Sequence, residues 1–142
     1  MANRPNFEDC NCFNLRRAAR RVTQVYDHAL ASSGLKTTQF SLLAVLNRKD
    51  ATEGVAIIRL AEKLGMDRTT LTRNLAVVER NGLVTVRTGD DPRSRLVVLT
   101  KAGRSALECA APLWAKAQAE MAGKIGTDQE KFLELTRRLA AI

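Results

Sequence analysis

At Gly82 the hydrophobic pattern of the sequence changes period. Upstream, Asp67 opens DRTTLTRNLAVVERNG, in which Leu71, Leu75 and Val78 recur at helical spacing and Asn81-Gly82 supplies a stop. Aspartate before such a run is a favoured N-cap, because its carboxylate accepts one of the amides that the first turn leaves unpaired. Downstream, LVTVRT and RLVVLT are rich in β-branched residues, and TGDDPRS between them consists largely of turn formers. The segment is therefore a helix that runs directly into a β-hairpin.

The rest of the chain reads as helix. Residues 1–11 form a loose polar arm, and from Cys12 to about Ser32 one face carries Leu15, Ala18, Ala19, Val22, Val25, Tyr26, Ala29 and Leu30. Arg16, Arg17, Arg20 and Arg21 take the other side, and Gly34 ends the helix. Thr37 or Thr38 caps a second helix that turns Phe40, Leu43 and Leu46 inward; DATEG is a turn, and a third helix runs from Ile57 to Leu64, ending at Gly65. After the hairpin, Thr100 caps a long helix in which Leu107, Ala110, Trp114, Ala117 and Met121 have the spacing of a helix-helix seam. Pro112 should kink or loosen that helix, and Gly126 ends it. Thr127-x-x-Glu130 is a capping-box pattern ahead of a last stripe of Phe132, Leu135, Leu139 and Ile142.

The fold class is therefore mainly α with a small β-hairpin wing (α+β), and its centre is a winged helix-turn-helix. Three segments follow: 1–34, the arm and first helix; 35–100, the winged unit; and 101–142, the C-terminal helices. A chain of 142 residues buries a core without disulfide or metal support, and 45% apolar with 4% aromatic residues makes that core Leu, Val, Ile and Ala. No run approaches a bilayer span and the N-terminus lacks a signal-type apolar segment, which predicts a cytoplasmic protein whose three cysteines are reduced thiols.

Charge points to the partner. The net charge is +8, and Arg59 to Arg104, about a third of the chain, holds ten basic and five acidic residues. Such a basic excess suits a polyanion. At about 100° per residue, Leu71, Leu75 and Val78 of the fourth helix share one side, while Thr69, Thr72, Arg73, Ala76 and Arg80 share the other. An outward face of hydroxyls, a methyl and guanidinium groups suits a DNA groove: Thr meets phosphates or a thymine methyl, and Arg reads guanine bidentately. In a winged unit that helix enters the major groove and the hairpin reaches the backbone or minor groove. Arg93 at the hairpin tip is placed for a narrow minor groove, and Asp91 is placed to brace it by a charge-assisted bond. Read without that context, both are an ordinary solvated helix face and a charged turn.

From Leu60 to Gly103 the chain resembles the multiple-antibiotic-resistance repressor (MarR) family. The match is carried by Asp67-Arg68-Thr69-Thr70-Leu71-Thr72-Arg73, by Asn81-Gly82-Leu83-Val84, and by Asp91 to Arg93 followed by Leu99-Thr100-Lys101-Ala102-Gly103. The resemblance implies a homodimer interlocked through the first, fifth and sixth helices, so that 1–34 and 101–142 become dimerisation segments around the DNA-binding unit. It implies a regulator, in the repressor sense, that places two helices on a pseudo-palindromic operator of duplex DNA. The expected DNA-contacting set is Arg68, Thr69, Thr70, Thr72, Arg73, Arg80, Arg87, Asp91, Arg93 and Arg95, with Arg73 matching the base-contacting arginine and Arg93 the wing-tip arginine. Pro92 departs from the usual Asp-Arg-Arg wing and leaves Arg93 as the main tip contact.

The family also implies a signal. Members commonly release DNA when a small aromatic or phenolic effector binds between the dimer helices and the DNA-binding lobe. A subset involved in stress response senses organic peroxides through a cysteine near the start of the first helix. Cys12-Phe13 occupies that place and Tyr26 matches one of the tyrosines bonded to its sulfur, while Arg16 stands where the second would be; Cys109 would be the resolving thiol. The alternative is that Cys10 and Cys12 are unengaged thiols of the arm and Cys109 a small core residue. Cys10-x-Cys12 with His28 does not make a four-ligand zinc site. With a single histidine and no Ser/His/Asp, metal or phosphate-loop pattern, neither an enzyme nor a cofactor is expected. The competing function is a winged helix used for protein-protein contact without specific DNA binding.

Overall fold

The computed structural model describes residues 6–142. Its helices are α1 (Asn11–Leu30), α2 (Thr37–Leu46), α3 (Ile57–Leu64), α4 (Arg68–Arg80), α5 (Lys101–Ile125) and α6 (Gln129–Ala140), and its strands are β1 (Val55–Ala56), β2 (Val84–Thr88) and β3 (Arg95–Leu99). The strands form one antiparallel sheet in the order β1-β3-β2, with Val55 opposite Val97 and Val86 opposite Val97 on the other side. The hairpin is therefore three-stranded. Two residues are too few to show an alternating pattern, which is why the sequence gives only a turn at DATEG.

One apolar core holds the winged unit together. Leu30 of α1, Leu42 and Leu43 of α2, Leu60 of α3, Leu71 and Val78 of α4, Val84 of β2 and Val97 of β3 are all completely or almost completely buried. The first turn of α5 fastens the long helix to this core. Thr100 accepts the Gly103 amide at 3.0 Å and donates its hydroxyl to the Gly82 carbonyl at 2.7 Å. Leu107, Ala110 and Ala117 continue the buried face along α5.

Three local expectations change. Residues 1–5 of the expected loose arm lie outside the described residues, but 7–9 form a 3-10 turn, and Asn14 donates to the Glu8 carbonyl at 2.6 Å and to the Cys10 carbonyl at 3.0 Å. α2 is capped from outside: Lys36 is its N-cap, and Thr37 gives its amide and hydroxyl to Asp27 of α1. The Thr127 capping box does not form, because residues 126–128 wind as a 3-10 turn and α6 begins after Asp128. α5 continues through Pro112 without interruption.

The terminal helices leave much apolar surface uncovered. Every residue from Asn11 to Arg21 of α1 is exposed, and α6 buries none of its residues. Leu15, Phe132, Leu135 and Leu139 are 47%, 42%, 44% and 51% exposed. These stripes have helical spacing, so the same pattern that predicts an inward face leads here to an open one.

Candidate nucleic-acid interface

The turn between α3 and α4 is short because Gly65 closes α3 with φ +61°, a backbone conformation that suits glycine. Asp67 then starts α4. Its carboxylate accepts the Thr70 amide at 2.8 Å and the Thr70 hydroxyl at 2.7 Å. The amide bond, with the hydroxyl second, holds the Asp67 carboxyl below the usual aspartate range.

Burial on α4 divides sharply. Leu71, Leu75 and Val78 are buried, while Arg68, Thr69, Thr70, Thr72, Arg73, Ala76 and Arg80 are exposed. Thr69, Arg73 and Arg80 make no side-chain hydrogen bond or ion pair among the described residues. The Thr72 hydroxyl donates to the Arg68 carbonyl at 2.8 Å, which leaves its lone pairs and methyl facing out. Thr70 differs, since its hydroxyl is committed to the cap.

The hairpin tip is a tight turn from Asp91 to Ser94. The Ser94 amide and hydroxyl both donate to the Asp91 carbonyl at 2.9 Å, with Pro92 and Arg93 as the central pair. Aspartate first and proline second is the residue order that favours this turn. Asp91 Oδ1 accepts the Arg93 amide at 2.9 Å, so the expected brace acts on the backbone and not on the guanidinium. Arg93 and Arg95 stay exposed and unpaired among the described residues, and they border, with Arg68, a cleft of about 100 Å³ between the wing and the start of α4. Three arginines, from the wing and from α4, thus border one cleft. Arg87 is placed otherwise: it donates to the Glu53 carbonyl at 2.5 Å and lies 3.9 Å from the Glu53 carboxylate, tying β2 to the turn before β1.

A second concavity, of about 300 Å³, lies where α1, α2 and α5 meet. Tyr26, Phe40 and Trp114 line it together with the hydroxyl residues Thr23, Thr37 and Ser41. Phe40 and Trp114 stack at 6.0 Å between ring centroids and 15° between planes. The Tyr26 hydroxyl donates to Gln118 Oε1 at 2.6 Å, and burial raises its pKa above the usual tyrosine value. The sequence shows Phe40 and Trp114 only as members of two separate stripes; what brings them together is the crossing of α2 and α5.

The cysteines are free thiols. Cys10 caps α1, its sulfur 3.5 Å from the Phe13 amide, so it is not an unengaged arm thiol. Cys12 is exposed in the first turn of α1, and Cys109 is exposed on α5 instead of buried in the core. No group of three or more potential metal ligands occurs among the described residues, and no helix there is long and apolar enough to cross a membrane.

Comparison with known proteins matches residues 33–94 to the MarR family. The transcriptional activatory protein BadR of Rhodopseudomonas palustris is 35% identical over 97 residues, which cover 68% of this chain and 55% of that protein, so the chain spans about half the length of this relative. The transcriptional regulator MosR of M. tuberculosis is 41% identical, with a TM-score of 0.82 over 96% of this chain and 100% of that one. A second structure of MosR, in complex with DNA, is 43% identical with a TM-score of 0.80, covering 94% and 98%. The winged helix built around Asp67, the arginine-bearing hairpin and these relationships lead to one conclusion: the chain belongs to the MarR family and is a winged-helix, DNA-binding transcription regulator.

Proposed function

We propose that two copies of this chain bind a pseudo-palindromic operator, repressing while bound, and that a signal releases them. In this reading it is a regulator and not an enzyme, acts in the cytoplasm, and uses 35–100 to bind DNA and 1–34 with 101–142 to dimerise. The observation that carries it is the exposed outward set of α4, Thr69, Thr72, Arg73 and Arg80, on a protein whose wing adds Arg93 and Arg95 at a cleft shared with Arg68. Arg73 reads a base edge, Arg93 enters the minor groove, and Arg68, Arg95 and the start of α4 hold phosphates, while Thr70 acts through the Asp67 cap that sets where α4 begins. Asp91 shapes the wing and Arg87 supports it from its root. The open stripes of α1 and α6 are the surfaces a second copy would cover, and two half-sites about one helical turn apart follow from such a pair.

Binding to random duplex across a salt series tests the core of this reading. Affinity should fall steeply with salt, and no measurable binding at about 50 mM salt would overturn it. Arg73→Ala should cost about 1–3 kcal/mol on the preferred sequence and relax the preference. Light scattering of the purified chain should give twice the chain mass.

The aromatic cleft beside α1 favours a small aromatic or phenolic effector as the signal. An oxidative signal would act at Cys12, with Cys109 as its resolving thiol and Tyr26 nearby across two copies. DNA release by an organic hydroperoxide that persists in Cys12→Ser removes that route.

A further inference from the structure

Asn74 interrupts an otherwise apolar stripe. Positions 71, 74, 75 and 78 share one face of α4 at helical spacing; Leu71, Leu75 and Val78 are buried, and Asn74 is half-buried among them. Its amide is engaged at both ends. Nδ2 donates to the Thr70 carbonyl at 3.0 Å, and Oδ1 accepts the Thr38 hydroxyl at 3.1 Å. Thr38 belongs to the first turn of α2, next to Thr37, which gives its amide and its hydroxyl to Asp27 Oδ1 on α1, each at 2.7 Å.

Two adjacent threonines therefore tie α2 to α1 on one side and to α4 on the other. Leucine and valine contacts are non-directional and tolerate a small rotation of a helix about its axis. A hydrogen bond has a preferred distance and angle, and the Asp27 bonds are strengthened by the carboxylate charge. Arg73 immediately precedes Asn74, so a rotation that breaks the Asn74 bond also re-aims the outward face. Thr37 borders the aromatic cleft, as does Tyr26, the neighbour of Asp27.

We propose that Thr38 and Asn74 are positioning residues for the DNA-reading face of α4, and that Asp27, through Thr37, makes that position depend on α1. The inference rests on the reading of α4 as the helix that enters the groove.

The test uses the full chain and two probes: the duplex that the wild-type protein enriches from a random-sequence library, and an unselected duplex of equal length. Thr38→Val and Asn74→Leu should each weaken binding to the selected duplex about three- to tenfold. Binding to the unselected duplex and its salt slope should stay as in the wild type, because phosphate contacts are untouched. The double variant should be no weaker than the weaker single, since both remove one bond. Leucine extends the buried stripe, so the melting temperature of Asn74→Leu should not fall; a merely structural role would lower it and weaken both duplexes together. Wild-type binding by both single variants, or losses that multiply in the double, overturns the proposal. Asp27→Ala should weaken the selected duplex and add nothing in the Thr38→Val background; multiplying losses there remove Asp27 from the chain of contacts. Arg73→Ala separates the two readings. If it too binds the selected duplex like the wild type, α4 is not the reading helix; if it alone loses affinity, only the positioning role fails.

Discussion

The Asp91 carboxylate accepts the backbone amide of Arg93 at 2.9 Å, so the acid at the wing tip holds the turn and leaves the guanidinium free. The two residues thus have separable roles. Arg93→Ala should weaken binding to all duplexes and lower the salt slope by about 1, because a cation in the minor groove displaces counterions whatever the sequence. Asp91→Ala should weaken binding about threefold with the slope unchanged, because the charge remains and only its placement loosens. Asn supports the same local turn, so Asp91→Asn should bind nearly as the wild type does. Equal losses for Asp91→Asn and Asp91→Ala would show that the negative charge matters and the turn does not.

The N-cap of α4 titrates. Asp67 is held below its ordinary range by the Thr70 amide, so its folded value lies under its unfolded one, about 4. A carboxylate shifted down contributes stability that is complete above the unfolded value and is lost as pH falls through the folded one. Asp67→Ala should therefore melt a few degrees below the wild type at neutral pH, and the gap should narrow as pH drops below about 4. A gap constant with pH would mean that the cap works without its charge.

Much of this was legible in the sequence, and the boundary has physical causes. Helix ends marked by Asp67, Gly65, Thr100 and Gly126 lie where their chemistry predicts, because caps and left-handed glycines are local properties. The outward set on α4 followed from a single helical period. What was hidden depends on contacts between distant segments: β1 exists only through β3, Asp27 caps a helix that is not its own, and Arg87 finds Glu53. The terminal stripes were legible as apolar faces but not as open ones, since spacing does not say what covers a face.

Gly103 shows a local signal whose meaning is tertiary. It is buried in the first turn of α5, where a Cβ would run into the Leu83 carbonyl oxygen and lie 2.7 Å from Leu99 Cδ1. Alanine in a helix ordinarily gains about 1 kcal/mol over glycine. Here the backbone of Leu83 cannot move away without disturbing the Thr100 amide, which donates to that same oxygen at 3.1 Å. Gly103→Ala should lose about 2 kcal/mol in denaturant unfolding. A stability equal to or above the wild type would show that α5 and β2 have room to separate.

The aromatic cleft has a built-in reporter, because Trp114 is the chain's single tryptophan and lies on its wall. A phenolic carboxylate entering between Tyr26 and the Phe40–Trp114 stack should change Trp114 fluorescence saturably. Its polar end can exchange bonds with Thr23, Thr37, Ser41 or the Tyr26 hydroxyl, so Tyr26→Phe should weaken it about three- to tenfold. If the same compound releases DNA, linkage requires that operator-bound protein hold it more weakly by the factor by which it weakens operator binding. Titrating the compound with and without the selected duplex measures both factors. Saturable quenching with equal affinity in the two titrations would make the cleft a binding site with no part in release, and no saturable change up to about 1 mM across a panel of single-ring acids would remove it as the effector site.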